Sequence, residues 1–132
     1  MIGLGTSVVV RYLVGTPPEQ AARAADLIDG DRDLGISALV LVEAAHVLRT
    51  QYGIARSDVV VALIELVTRE NVVMLGLSTE DTLEALVRAR SLPGTPIPDA
   101  LIAATARATG ALPLYTFDAD LHRQGIVVAE PP

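Results

Sequence analysis

The chain has 132 residues, 51% hydrophobic and 20% charged, which suits one globular domain whose aliphatic core buries about two-thirds of the unfolded surface. Its net charge of −6, with every basic residue an Arg and no Lys, argues against a basic nucleic-acid coat protein and removes the Walker-type phosphate loop. The absence of Cys excludes disulfides, thiolate metal sites and Cys nucleophiles, and aromatics at 3% speak against base stacking on an aromatic platform.

Met1 leads directly into a core strand pattern without a basic leader, so no signal peptide is expected. No apolar run approaches the ~20 residues of a membrane span. The expectation is a soluble cytoplasmic protein without membrane contact.

Ile2-Gly3-Leu4 reads as a short buried strand and Gly5-Thr6-Ser7 as a turn, with Thr6 or Ser7 able to cap a helix through Val8–Val14. That stretch is rich in β-branched residues and could instead extend the strand. A helix over Pro18–Ile28 carries Ala21, Ala22, Ala25 and Ile28 at helical spacing, and Asp29–Asp33 is a solvated acidic turn. Leu34-Gly35-Ile36 is a second strand, Ser37 a cap, and an apolar helix begins at Ala38. Val59–Val67 is amphipathic, Asn71–Leu75 a third strand, and Ser78–Asp81 an acidic start for a helix through Arg90. Pro96 and Pro98 set the start of a buried helix over Ala100–Ala108, which Gly110 stops. Leu112–Phe117 is then a strand, Leu121–Gly125 one helical turn, and Ile126–Ala129 an edge strand. Strands alternating with helices indicate a single α/β domain over residues 1–132 with a mostly parallel sheet.

Three acids stand where such a sheet makes sites. Asp99 lies in the first turn of its helix and Asp118 follows a short apolar strand, at the carboxyl end where open α/β sheets bind ligands. Glu43 interrupts the run Leu39-Val-Leu-Val-Glu-Ala-Ala, so it either opens onto a polar cavity or marks an exposed helix face. His46, three residues on, shares that face and reads as a locally bonded histidine rather than a metal ligand. Taken singly, Asp99 is a dipole-favoured acid and Asp118 a turn or cap; with Glu43 they point to a shared site. Carboxylates without Cys or a His set form an all-oxygen field suited to Mg²⁺ or Mn²⁺, and the matching reaction class is metal-dependent phosphodiester hydrolysis. Thr6, Ser7 and Thr116 are candidates to orient those carboxylates or a bound water, or are simply turn and cap residues.

Met1-Ile-Gly-Leu-Gly5-Thr-Ser, Ser37-Ala-Leu-Val-Leu-Val-Glu43, Ile97-Pro-Asp99-Ala-Leu-Ile-Ala-Ala and Leu114-Tyr-Thr-Phe-Asp118 resemble, in order and spacing, the motifs of PIN-domain ribonucleases, most of all VapC-type toxins. The resemblance covers the whole chain. It implies a three-layer α/β/α sandwich, an Mg²⁺- or Mn²⁺-dependent endoribonuclease, frequent homodimerisation, and a small antitoxin that blocks the site with its C-terminal segment. By position, Glu43, Asp99 and Asp118 match the family's second, third and fourth acids, and Asp120 falls in its acidic turn.

Where the family has its first acid, this chain has Gly5. The expectation is a catalytically weak or dead form that folds and binds its antitoxin. Losing one of four mutually repelling carboxylates should leave metal-free stability unchanged or higher. Two other classes compete. Asp118-Ala119-Asp120 resembles the Asp-x-Asp of aspartyl-nucleophile phosphoryl-transfer enzymes, but those carry it after the first strand and use a Lys. The second is a silent PIN-fold interaction module, which Gly5 keeps open. Arg11, Arg88, Arg90, Arg107 and Arg123 are candidate phosphate contacts among a set of largely solvated arginines.

Overall fold

The computed structural model describes residues 1–132. Strand β1 (Ile2–Gly3) and helix α1 (Thr6–Val14) open the chain, so the β-branched run after Gly5 is helical rather than an extension of the strand. Val9 and Val10 of that run are fully buried, and burial outweighs their weak helix propensity. Helix α2 (Pro18–Ile28), strand β2 (Leu34–Ser37), helix α3 (Ala38–Thr50) and helix α4 (Arg56–Val67) follow. Strand β3 (Val72–Leu75), helix α5 (Thr79–Ser91), helix α6 (Ile97–Thr109), strand β4 (Leu114–Tyr115), a 3₁₀ helix (Ala119–Gln124) and strand β5 (Val128–Ala129) complete it.

β1, β2 and β3 form a parallel sheet with β2 in the centre, Leu34 lying between Ile2 and Val72. Leu34, Gly35 and Ile36 are all buried, as a strand covered on both faces requires. β3 at the edge alternates instead, with Val72 and Met74 inward and Val73 and Leu75 outward. The core draws on residues from Leu4 in the first strand region to Ala104 in α6, and is built almost wholly from Leu, Val, Ile and Ala.

β4 and β5 pair in parallel with each other and not with this sheet, so the parallel strands form two sheets rather than one. β4 is also far shorter than the six-residue strand read from the sequence. Pro113 has no N–H to give to a ladder, and pairing begins only at Leu114, whose N–H donates to Val127 O at 2.9 Å. The result is an α/β fold with six helices around parallel strands.

The helix starts differ. Ser37 caps α3 by accepting from Val40 N–H, and Ser78 caps α5 by accepting from Asp81 N–H. α1 and α6 begin at Gly5 and Pro96 without any side-chain cap. α6 ends at Gly110, whose φ of 72° is the left-handed conformation that glycine adopts freely.

Candidate functional site

Asp99 and Asp118 come from different elements and face each other electrostatically. Asp99 sits in the first turn of α6, where its N–H donates to Pro96 O at 3.1 Å, and its side chain is half-buried. Burial first, and the Asp118 carboxylate second, hold its carboxyl above the usual range. A helix N-terminus pulls a carboxylate the other way, by about 0.3–1 kcal/mol, so desolvation and the neighbouring charge outweigh the dipole.

Asp118 is exposed and held by local bonds. Its N–H donates to Thr116 Oγ1 at 2.9 Å, and its Oδ1 accepts from Asp120 N–H at 3.0 Å, capping the 3₁₀ helix. The two readings of Asp118, cap and site acid, are therefore compatible: one oxygen caps while the charge still raises the pKa of Asp99. Asp120 contributes its backbone to that cap, and its side chain is exposed and unpaired.

Glu43 is exposed on α3 and lines a groove of about 890 Å³ with His46, Arg49 and Thr50. The segment Pro96-Ile97-Pro98, immediately before Asp99, lines the same groove. The carboxylate is thus on an exposed, groove-facing surface and makes no ion pair, and His46 beside it is likewise exposed. Neither Thr6 nor Ser7 donates to an acid; Ser7 lines a separate groove between α1 and α2 with Arg11 and Arg23.

Arg56, at the start of α4, lines the Glu43 groove and is not among the site residues expected from the sequence. Its Nη2 donates to Ala89 O at 2.8 Å and to Thr95 O. Burial, and then the charge of Arg49, lowers its pKa from the usual guanidinium value. Nothing local marks this role, because the two carbonyls lie 33 and 39 residues along the chain.

Gly5 is the N-cap of α1, with φ −88° and ψ 168°, an extended conformation open to any residue. A Cβ built there meets no atom within 4 Å. An Asp would therefore fit, and it would also cap α1, an effect on stability opposite in sign to the carboxylate repulsion expected from the sequence.

No group of three or more His, Asp or Glu side chains converges closely enough to form a complete metal cage. The Asp99–Asp118 pair alone fits a hard divalent ion, because Mg²⁺ keeps several waters and is commonly held by one or two carboxylates. Such an ion, when bound, would polarise a phosphoryl oxygen and lower the pKa of a coordinated water. The chain's own part is then to supply two carboxylate oxygens from fixed positions, with Thr116 and the Asp120 N–H orienting Asp118.

Residues 4–127 match the family described as PIN domain, a span that takes in Gly5, Glu43, Asp99 and Asp118. The chain belongs to the PIN domain family. PIN domains are generally metal-dependent nucleases and typically use divalent ions, which agrees with the nuclease character and oxygen-ligand chemistry expected from the acids. No individual curated protein and no solved structure matched the chain. No helix of this PIN domain is long and apolar enough to cross a membrane.

Proposed function

We propose that this PIN domain is the endoribonuclease toxin of a VapC-type toxin–antitoxin pair, dependent on Mg²⁺ or Mn²⁺, in a form impaired by Gly5. The observation that carries the reading is the Asp99–Asp118 pair. Two carboxylates from separate elements, one raised in pKa by burial and by the other, are a costly arrangement in a metal-free protein and a useful one for holding a cation. Asp99 and Asp118 are the metal ligands in this reading, Glu43 joins them from the groove beside Pro98, and Asp120 is a further acid of the turn. Thr116 holds the turn that carries Asp118. The substrate is RNA. The protein acts in the cytoplasm, as a homodimer or in a hetero-oligomer with a small antitoxin that blocks the site.

The test is cleavage of a fluorescent panel of structured RNAs by the chain and its Gly5→Asp variant, with Mg²⁺ or Mn²⁺ and with chelator. The reading expects cleavage by the Asp variant, abolished by chelator, and little or none by the parent. Absence of cleavage by both folded proteins would remove it. A second reading, an interaction module without catalysis, is favoured by Gly5 together with the lack of a three-acid cluster. It predicts that restoring the acid leaves the protein inactive while binding to the partner persists.

A further inference from the structure

The chain has only four aromatic residues, three Tyr and one Phe, and none of them is fully buried. Tyr12 is half-buried and donates to Asp29, and Tyr52 is on the surface. The other two are Tyr115, 58% exposed, and Phe117, 80% exposed and the residue immediately before Asp118. Burial alternates from β4 into the bend at Phe117, half-buried at Leu114 and Thr116 and exposed at Tyr115 and Phe117, and Thr116 N–H continues the pairing by donating to Ala129 O at 2.9 Å. Val127, 65% exposed and next to β5, extends the same surface, because Tyr115 lies in register with Ala129 two residues further on.

We propose that Tyr115 and Phe117 form a stacking platform for unpaired RNA bases and position the strand against Asp118, an inference that rests on the ribonuclease reading. An exposed Phe forfeits most of the stabilisation its burial would supply, and here it does so one residue from a candidate metal ligand. A base on the Phe117 ring brings its own backbone beside the Asp118 carboxylate. The low aromatic content, which argued against stacking when averaged over the chain, is misleading because half of the aromatics are concentrated at this one edge. Stacking also suits the charge. A protein of net charge −6 gains little from phosphate attraction, whereas every base offers a π-face regardless of sequence. Arg123, exposed in the 3₁₀ helix, is the nearest guanidinium in the chain after this face.

The test uses binding in chelator, so no cleavage intervenes. Phe117→Trp introduces the only tryptophan of the protein, and a short single-stranded oligoribonucleotide should quench its emission while binding at least as tightly as to the parent. Phe117→Ala should weaken binding, read by fluorescence anisotropy, by roughly 5- to 100-fold. Phe117→Leu, apolar but unable to stack, should weaken it comparably, and an abasic strand should bind parent and variants alike. Because the side chain is exposed, all variants should melt with the parent. Parent-level binding by the Ala or Leu variant overturns the platform, as does unquenched indole emission from the Phe117→Trp protein in its RNA-bound state. Full binding by the Leu variant alone would identify an apolar docking surface instead. If the parent itself binds no RNA the platform falls, whereas the ribonuclease reading falls only if Gly5→Asp also fails to cleave. RNA binding that survives Phe117→Ala removes the platform alone.

Discussion

Replacing Asp118 separates its two roles, because Asn and Ala remove the same charge but only Ala removes the cap. The Oδ1 that accepts from Asp120 N–H at 3.0 Å starts the 3₁₀ helix, which in turn buries Leu121 and Gln124 against the body of the protein. Asn is as good an N-cap as Asp, so Asp118→Asn should stay within about 0.5 kcal/mol of the parent. Asp118→Ala should lose about 1 kcal/mol, which for a domain of this size lowers the melting midpoint by roughly 3–5 °C. Both should let the Asp99 carboxyl titrate at lower pH than in the parent. Neither should return it to the ordinary range, since burial is the larger cause and persists. Thermal melts and carboxyl-detected NMR titration of Asp99 read the two effects independently. Equal destabilisation by Asn and Ala would refute the cap. An Asp99 titration unmoved in both variants would refute the proximity on which the candidate site depends.

Asp99 also shapes the pH dependence of stability. Its pKa is raised in the folded protein, so the native state binds the extra proton, and stability falls as pH rises from the unfolded value of ~3.9 through the folded one. Asp99→Asn should therefore flatten that part of the urea-derived stability profile, and an unchanged profile would contradict the shift. Divalent ions should raise the melting midpoint of Gly5→Asp more than that of the parent, because any ion bound only by the native state stabilises by mass action; equal shifts would mean that position 5 lies outside the metal's reach. Arg56→Met, which strips the bonds to Ala89 O and Thr95 O, should cost roughly 1.5–3 kcal/mol in urea unfolding, and a neutral result would show those carbonyls to be solvated instead.

What the sequence made legible follows from how locally each feature is encoded. Ser37 and Ser78 cap their helices through neighbours three residues away, and Gly110 ends α6 through its own backbone, so all three can be read from short windows. The extended core of β2 is equally plain, because a short apolar triplet between an acidic turn and a Ser cap suits a strand covered on both sides. The acids were visible as chemistry out of place, Glu43 in an apolar run and Asp118 after a strand. Their mutual arrangement was not visible, since the electrostatic coupling of Asp99 to Asp118 joins two elements whose relative placement is set by packing. The same holds for Arg56, whose partners are supplied by α5 and the loop after it. The β4–β5 sheet is shorter than the apolar sequence suggests for a related reason. Apolar character extends over Leu112–Phe117, but Pro113 and the partner strand decide how much of it can pair, leaving Tyr115 and Phe117 facing outward.

Gly5 is the point where fold and chemistry separate. Its backbone is extended, its surroundings are open, and the helix it begins has no other cap. A glycine demanded by the fold would show a positive φ or a crowded Cβ, and this one shows neither. Sequence reasoning from repulsion alone expected the Gly form to be the more stable, yet a carboxylate at this N-cap would meet the free N–H groups of α1 and the positive end of its dipole. That local gain, a few tenths of a kcal/mol over Gly for the cap and about 0.3–1 kcal/mol for the charge, opposes any repulsion from Asp99 and Asp118. The consequence of Gly5 therefore has to be sought in the number of acidic oxygens the site can offer, because backbone conformation and packing would accept an Asp there unchanged.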